Sequence, residues 1–94
     1  MTDREICEEA VRQFGRISQI VKAVEEMGEL TQALARWLNA RPDWGNVIEE
    51  IADVEIMLEQ LKYIVGESHM GSMTVEEAKK RKIARLAGML VHEV

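Results

Sequence analysis

The stretch IEEIADVEIML, Ile48 to Leu58, decides the fold. Its apolar residues recur at three- and four-residue intervals, the period of a helix with one buried face and incompatible with the alternation of a half-buried strand. At about 100° of rotation per residue, Val47, Ile51, Val54, Leu58, Leu61 and Val65 fall on one stripe. Glu50 lies at the edge of that stripe, towards Met57, and Asp53 one step further round. A helix built for a core thus carries two carboxylates at its margin.

The same pattern extends upstream. Ile17, Ile20, Val24, Met27, Leu34 and Leu38 form a second apolar stripe, expected to be the buried one, while Lys22, Glu26, Glu29 and Ala33 make a separate strip beside it, next to Trp37. Punctuation falls around Phe14–Gly15, at ARPDWGN (Ala40 to Asn46, with the only proline, Pro42) and at GESHMGSM (Gly66 to Met73). The SHMGS within the last of these reads as a Gly/Ser-rich connecting loop. Thr2 with Glu5, and Thr74 with Glu77, have the spacing of a capping box, in which hydroxyl and carboxylate satisfy the free backbone donors of a first turn. These signals predict an all-α chain of four helices, over about 3–14, 16–39, 44–65 and 75–92.

Ninety-four residues, 47% hydrophobic and 31% charged, make one small domain spanning 1–94. So short a chain has a small core, and self-association is a natural way to cover more apolar surface. One cysteine, Cys7, excludes an internal disulfide framework and fits a reducing compartment. No apolar run approaches the roughly 20 residues of a membrane span, and MTDREICEEA carries acids where a signal peptide carries bases. A cytoplasmic protein without a membrane partner is the expectation.

The net charge is −5, with 7 bases and 14 acids in residues 1–73 against 5 bases and 3 acids in residues 74–94. An acidic body lacks the broad basic surface that duplex nucleic acid requires, so nucleic acid is not expected as a partner. A small basic tail beside an acidic cluster instead suits a metal-bound phosphate.

Paired glutamates on a helix are ordinarily a solvated face, and Glu8, Glu9, Glu55, Glu59 and Glu76 are assigned to that class. Glu26, Glu29, Glu50 and Asp53 differ because one spacing repeats on two consecutive helices, each time against the apolar stripe. Four carboxylates converging at a helix seam repel and resist desolvation unless a cation compensates them. Hard oxygen ligands of this kind suit Mg²⁺, with Mn²⁺ as a substitute.

KAVEEMGELTQAL (Lys22 to Leu34) followed by NVIEEIADVEIML (Asn46 to Leu58) resembles the two-part E-x-x-E, E-x-x-D signature of the MazG-like all-α nucleoside triphosphate pyrophosphohydrolases. The matching residues are Glu26 and Glu29, then Glu50 and Asp53, with 20 residues between the halves. The resemblance covers residues 14–65, and KIARL (Lys82 to Leu86) more loosely resembles a segment of the family's last helix. It implies a MazG-like chain in an oligomeric helical bundle, a homodimer or homotetramer, hydrolysing a nucleoside triphosphate to a monophosphate and pyrophosphate with Mg²⁺, in nucleotide-pool house-cleaning. Glu26, Glu29, Glu50 and Asp53 would be the metal-binding, catalytic acids. Glu25 and Glu49 either orient a ligand or water or are solvated. Lys22 is a phosphate contact or an ion-pair partner of Glu26. Lys79, Lys82 and Arg85, three residues apart, would meet phosphate oxygens, from a neighbouring subunit if not in the same chain, or else complement the helix dipole. Trp37, with Trp44 across the loop, either stacks on the base or packs.

His69 and His92 read as surface residues, and the chemistry requires no Ser, Cys or His nucleophile. The related phosphoribosyl-ATP pyrophosphohydrolases carry a Phe-His pair after the second motif, where Glu55 and Ile56 stand here, which ranks that reading lower. A carboxylate-bridged di-iron bundle would need E-x-x-H pairs, and the sequence has none. The alternative from another class is a non-catalytic oligomeric helical adaptor or regulatory protein. It explains the amphipathic stripes but leaves four acids at a seam without a role, and it predicts no stabilisation by Mg²⁺.

Overall fold

Gly15 separates the first two helices. In the computed structural model, which describes residues 1–39, 41, 43–68 and 73–90, its backbone has φ 92° and ψ 150°, a region that side chains rarely tolerate. Helix α1 (Asp3–Phe14) ends against it and α2 (Arg16–Leu38) begins after it. Two more helices follow, α3 (Trp44–Ser68) and α4 (Val75–Met89), and no strand occurs among the described residues. No helix of the described residues is long and apolar enough to cross a membrane.

Local chemistry explains the starts. Thr2 Oγ1 accepts the Glu5 N–H while Glu5 Oε1 accepts the Thr2 N–H, each at 3.1 Å, the complete capping box. Thr74 Oγ1 accepts the Glu77 N–H at 3.1 Å, the hydroxyl half of the same device. Asp43 opens α3, its Oδ1 accepting the Asn46 N–H at 3.1 Å. Helix α3 runs through Gly66 to Ser68, beyond the expected break, because one glycine costs a helix only about 1 kcal/mol and its last turns continue past it. Helix α4 stops at Met89 rather than 92. His69, His92 and most of SHMGS lie outside the described residues.

Helices α2 and α3 form an antiparallel hairpin: Gln19 meets Gln60 at one end and Trp37 meets Trp44 at the other. Its seam is not the one the hydrophobic pattern predicts. On α2 the buried residues are Gln19, Ala23 and Ala33, with Glu26 and Leu30 half-buried between them. The apolar stripe faces outward, with Val24 65%, Ile17 76% and Leu38 87% exposed, against 2% for Ala23. The helix is therefore turned by about one residue, roughly 100°, from the orientation that would bury its most apolar side. On α3 the seam is Val47, Glu50, Val54, Met57, Leu61 and Ile64 with Gln60 beside it, while Ile51, Leu58 and Val65 point away.

Two features account for the rotation. Small residues at 23 and 33 let the backbones approach closely, and Gln19 Nε2 donates to Gln60 Oε1 at 2.7 Å in a seam where both residues are 5% exposed. A buried amide pair is stable only when its partners meet, so it selects one relative orientation of the helices.

Helix α1 packs on the side of α3 that bears Ile56 and Tyr63. Cys7 and Val11 are buried there, Cys7 Sγ lies 3.9 Å from the Ile56 carbonyl oxygen, and the Arg12 guanidinium sits 5.6 Å from the Tyr63 ring centroid. Helix α4 buries no residue. Its first turn is tied to α3 by Lys62 Nζ, 3.5 Å from both Glu59 and Glu76, and an apolar groove opens between the two helices.

Candidate metal centre

The rotation of α2 that turns its apolar stripe outward turns Glu26 into the seam. Residues 26 and 29 on α2 and 50 on α3 then converge: one carboxylate oxygen from each of Glu26, Glu29 and Glu50 lies within 4.8 Å of the others. Helix periodicity sets the two glutamates of α2 three residues apart on adjoining faces, and the antiparallel hairpin sets Glu50 opposite them. Asp53 stands outside this tight group but close enough to act on it by charge.

The electrostatics follow from burial and crowding. Glu26 Oε2 and Glu50 Oε2 are both buried without a hydrogen-bond partner, an arrangement that native proteins generally avoid. Loss of solvation pushes the Glu26 carboxyl above its ordinary pKa, the charges of Glu29 and Asp53 push it further, and only Lys22 pulls it back. The Glu50 carboxyl is raised for the same reasons, desolvation first and then Glu29, Asp53 and Glu26. Lys22 Nζ, 3.6 Å from Glu26 Oε1, is the cation paired with the cluster, though it is more than half exposed.

These features fit a hard divalent cation. All donors are carboxylate oxygens, two of them lack any other partner, and the group carries more negative charge than Lys22 balances. Glu25 and Glu49 are exposed beside it.

The other expected site residues are spread out. Trp37 and Trp44 pack on each other at the hairpin tip, centroids 4.5 Å apart and planes at 64°, with part of each ring left exposed. Lys79 and Lys82 line the groove between α4 and the C-terminal half of α3, opposite Leu58, Leu61 and Val65. None of the four motif acids lines that groove. Arg85 is exposed on the same helix.

Comparison with protein-family models, with curated proteins and with solved structures returns no match for this chain.

The buried Gln19–Gln60 pair escapes sequence reasoning because glutamine on an amphipathic helix is ordinarily solvated. Its one trace is that Gln19, Ala23, Glu26 and Ala33 share a helix face on which only Leu30 between them is a large apolar residue.

Proposed function

We propose that the chain is a Mg²⁺-dependent nucleoside triphosphate pyrophosphohydrolase. The observation that carries the reading is the convergence of Glu26, Glu29 and Glu50 with two buried, unpartnered carboxylate oxygens. The two-part motif on which this convergence falls resembles the MazG-like signature.

In this reading Glu26, Glu29 and Glu50, with Asp53 at the margin, hold Mg²⁺, or Mn²⁺ in its place. The bound ion supplies charge neutralisation on the phosphate oxygens and lowers the pKa of a water ligand. A water oxygen bonds to the α-phosphorus and gives up a proton to solvent, the bond from the α-phosphorus to the α–β bridging oxygen breaks, and pyrophosphate departs with the bonding pair, leaving a nucleoside monophosphate. The residues of the chain provide position and field. Glu26 and Glu50 stay in the water-poor seam, where electrostatic interactions are stronger than at the surface. Lys22, paired with Glu26 at 3.6 Å, would be the residue of this strip to meet a phosphate oxygen. An exposed Trp37 face at the hairpin tip offers the base a stacking surface. Lys79, Lys82 and Arg85 would contact phosphate if they reach the cluster from another copy, and a homodimer or homotetramer is the assembly that goes with this. House-cleaning of the nucleotide pool is the role we assign, in the cytoplasm.

Pyrophosphate release from a panel of ribo- and deoxyribonucleoside triphosphates, with Mg²⁺ and with EDTA, tests the reading. Turnover that requires Mg²⁺ and disappears in Glu50→Gln is the expected result. A non-catalytic oligomeric adaptor is the second reading, favoured by the outward apolar stripe of α2. Folded protein with no turnover on any nucleotide and no thermal stabilisation by Mg²⁺ would establish it in place of the first.

A further inference from the structure

Much of the seam between α2 and α3 does little to fix how far along each other the two helices sit. Ala23 and Ala33 are the buried α2 residues beside Gln19, and a methyl is too short to key deeply into a facing helix. On α3 the buried Met57 is unbranched and adapts to several packings. The carboxylates of Glu26, Glu29 and Glu50, with oxygens within 4.8 Å of one another, repel. Two contacts supply the missing constraint: the Gln19–Gln60 hydrogen bond and the Trp37–Trp44 edge contact.

The acids stand in register with that hydrogen bond. Ten residues on from Gln19 is Glu29, and ten back from Gln60 is Glu50; seven on is Glu26, and seven back is Asp53. Both helices rise about 1.5 Å per residue and run antiparallel, so equal steps from the bond reach equal heights, about 15 Å for the first pair and about 10 Å for the second. The Trp37–Trp44 contact lies eight residues beyond Glu29 and six before Glu50, roughly 9–12 Å further along the hairpin. The cluster is thus held between two fixed points. A slip of one turn, about 5.4 Å, exceeds the 4.8 Å that contains the three oxygens. Even a slip of one residue is about three times the roughly 0.5 Å within which a binding constellation has to be held.

We propose that Gln19 and Gln60 are positioning residues for the carboxylate cluster, fixing the register that brings Glu26, Glu29 and Glu50 into one cation site. The inference rests on the divalent-cation reading of that cluster. The two glutamines act through the helices they join, from about 10–15 Å away. A buried amide pair suits the role better than two apolar residues. Leucines pack acceptably at more than one register, whereas a glutamine displaced from its partner is left buried and unsatisfied. At 5% exposure neither amide has ready access to water as a substitute partner. Linkage runs both ways: a cation that draws the three carboxylates together favours the same register, and so strengthens the hydrogen bond.

Binding of Mn²⁺ alone to the full chain, read from the electron paramagnetic resonance signal of the free ion, tests it, with circular dichroism to monitor folding. The wild type is expected to bind. Gln19→Leu/Gln60→Leu is expected to bind roughly 10–100-fold more weakly, the range seen when groups supporting metal ligands are lost. Val11→Ala, which weakens the buried α1–α3 packing instead, keeps the wild-type affinity. A wild type that binds no Mn²⁺ overturns the cation reading and this inference with it. A wild type that binds, beside a folded double variant of equal affinity, overturns this inference alone, as does a Val11→Ala protein that loses as much affinity as the double variant. If the double variant loses its helicity, hydrogen exchange in the wild type decides. Slower exchange of the Gln19 side-chain amide protons on saturation with Mg²⁺, with the Val11 backbone amide unchanged, supports the coupling; no slowing, or equal slowing of both, overturns it.

Discussion

Replacing Gln60 by leucine removes the acceptor of the Gln19–Gln60 hydrogen bond inside the α2–α3 seam and leaves the Gln19 amide in a place where it is 5% exposed. An orphaned buried donor costs about 1–3 kcal/mol, and Gln19→Leu leaves the mirror-image defect at Gln60. For a domain of this length each kcal/mol lowers the melting temperature by about 4–8 °C. Removing both partners removes both desolvation penalties and adds two side chains of suitable size, so Gln19→Leu/Gln60→Leu is expected within about 1 kcal/mol of wild type. The coupling energy from the double-mutant cycle, the sum of two single losses less a near-zero double, is then of order 2–6 kcal/mol. Thermal and urea unfolding at one fixed protein concentration measures it. Single substitutions that add within about 0.5 kcal/mol would show that the pair is not coupled, and the account of why α2 presents its polar side to α3 would fail.

Titration tests the cluster. Glu26 and Glu50 are raised above their ordinary value of 4.5, so the folded state holds more protons than the unfolded state between that value and the raised ones. Metal-free stability attributable to them is therefore greatest below that window and falls as pH rises through it; chemical denaturation in EDTA should show a shallower fall in Glu50→Gln than in wild type, and equal slopes would refute the crowding. Gly15→Ala brings no steric clash, since nothing lies within 4 Å of the added methyl, but it forces alanine into φ 92°. A loss of about 1–3 kcal/mol is expected from equilibrium unfolding, and a neutral or stabilising effect would contradict the helix break described for α1 and α2.

The four helices were legible in the sequence because their determinants are local. Capping threonines, the Phe14–Gly15 break and three-to-four-residue apolar spacing each act within a turn or two of chain. The neighbourhood of Glu26, Glu29 and Glu50 was legible for a related reason: repeated spacing on two helices joined by a short loop leaves an antiparallel hairpin as the simple way to bring them together.

Which face of α2 meets α3 was not legible. Periodicity ranks the faces of one helix by apolarity, and that ranking selects the stripe of Ile17, Ile20, Val24 and Met27 for burial. Tertiary packing chooses otherwise, because close approach at Ala23 and Ala33 and a matched amide pair at Gln19 and Gln60 depend on two helices at once. The same choice places Glu26 and Glu50 in a poorly solvated seam rather than at a wet margin, and raises their proton affinity. Sequence alone thus determined the helices and the acids they carry, whose causes are local. The tertiary structure decided which side of α2 is buried and how tightly the carboxylates crowd, since both depend on residues some 24 to 41 positions apart, Glu26 to Glu50 and Gln19 to Gln60, meeting across the seam.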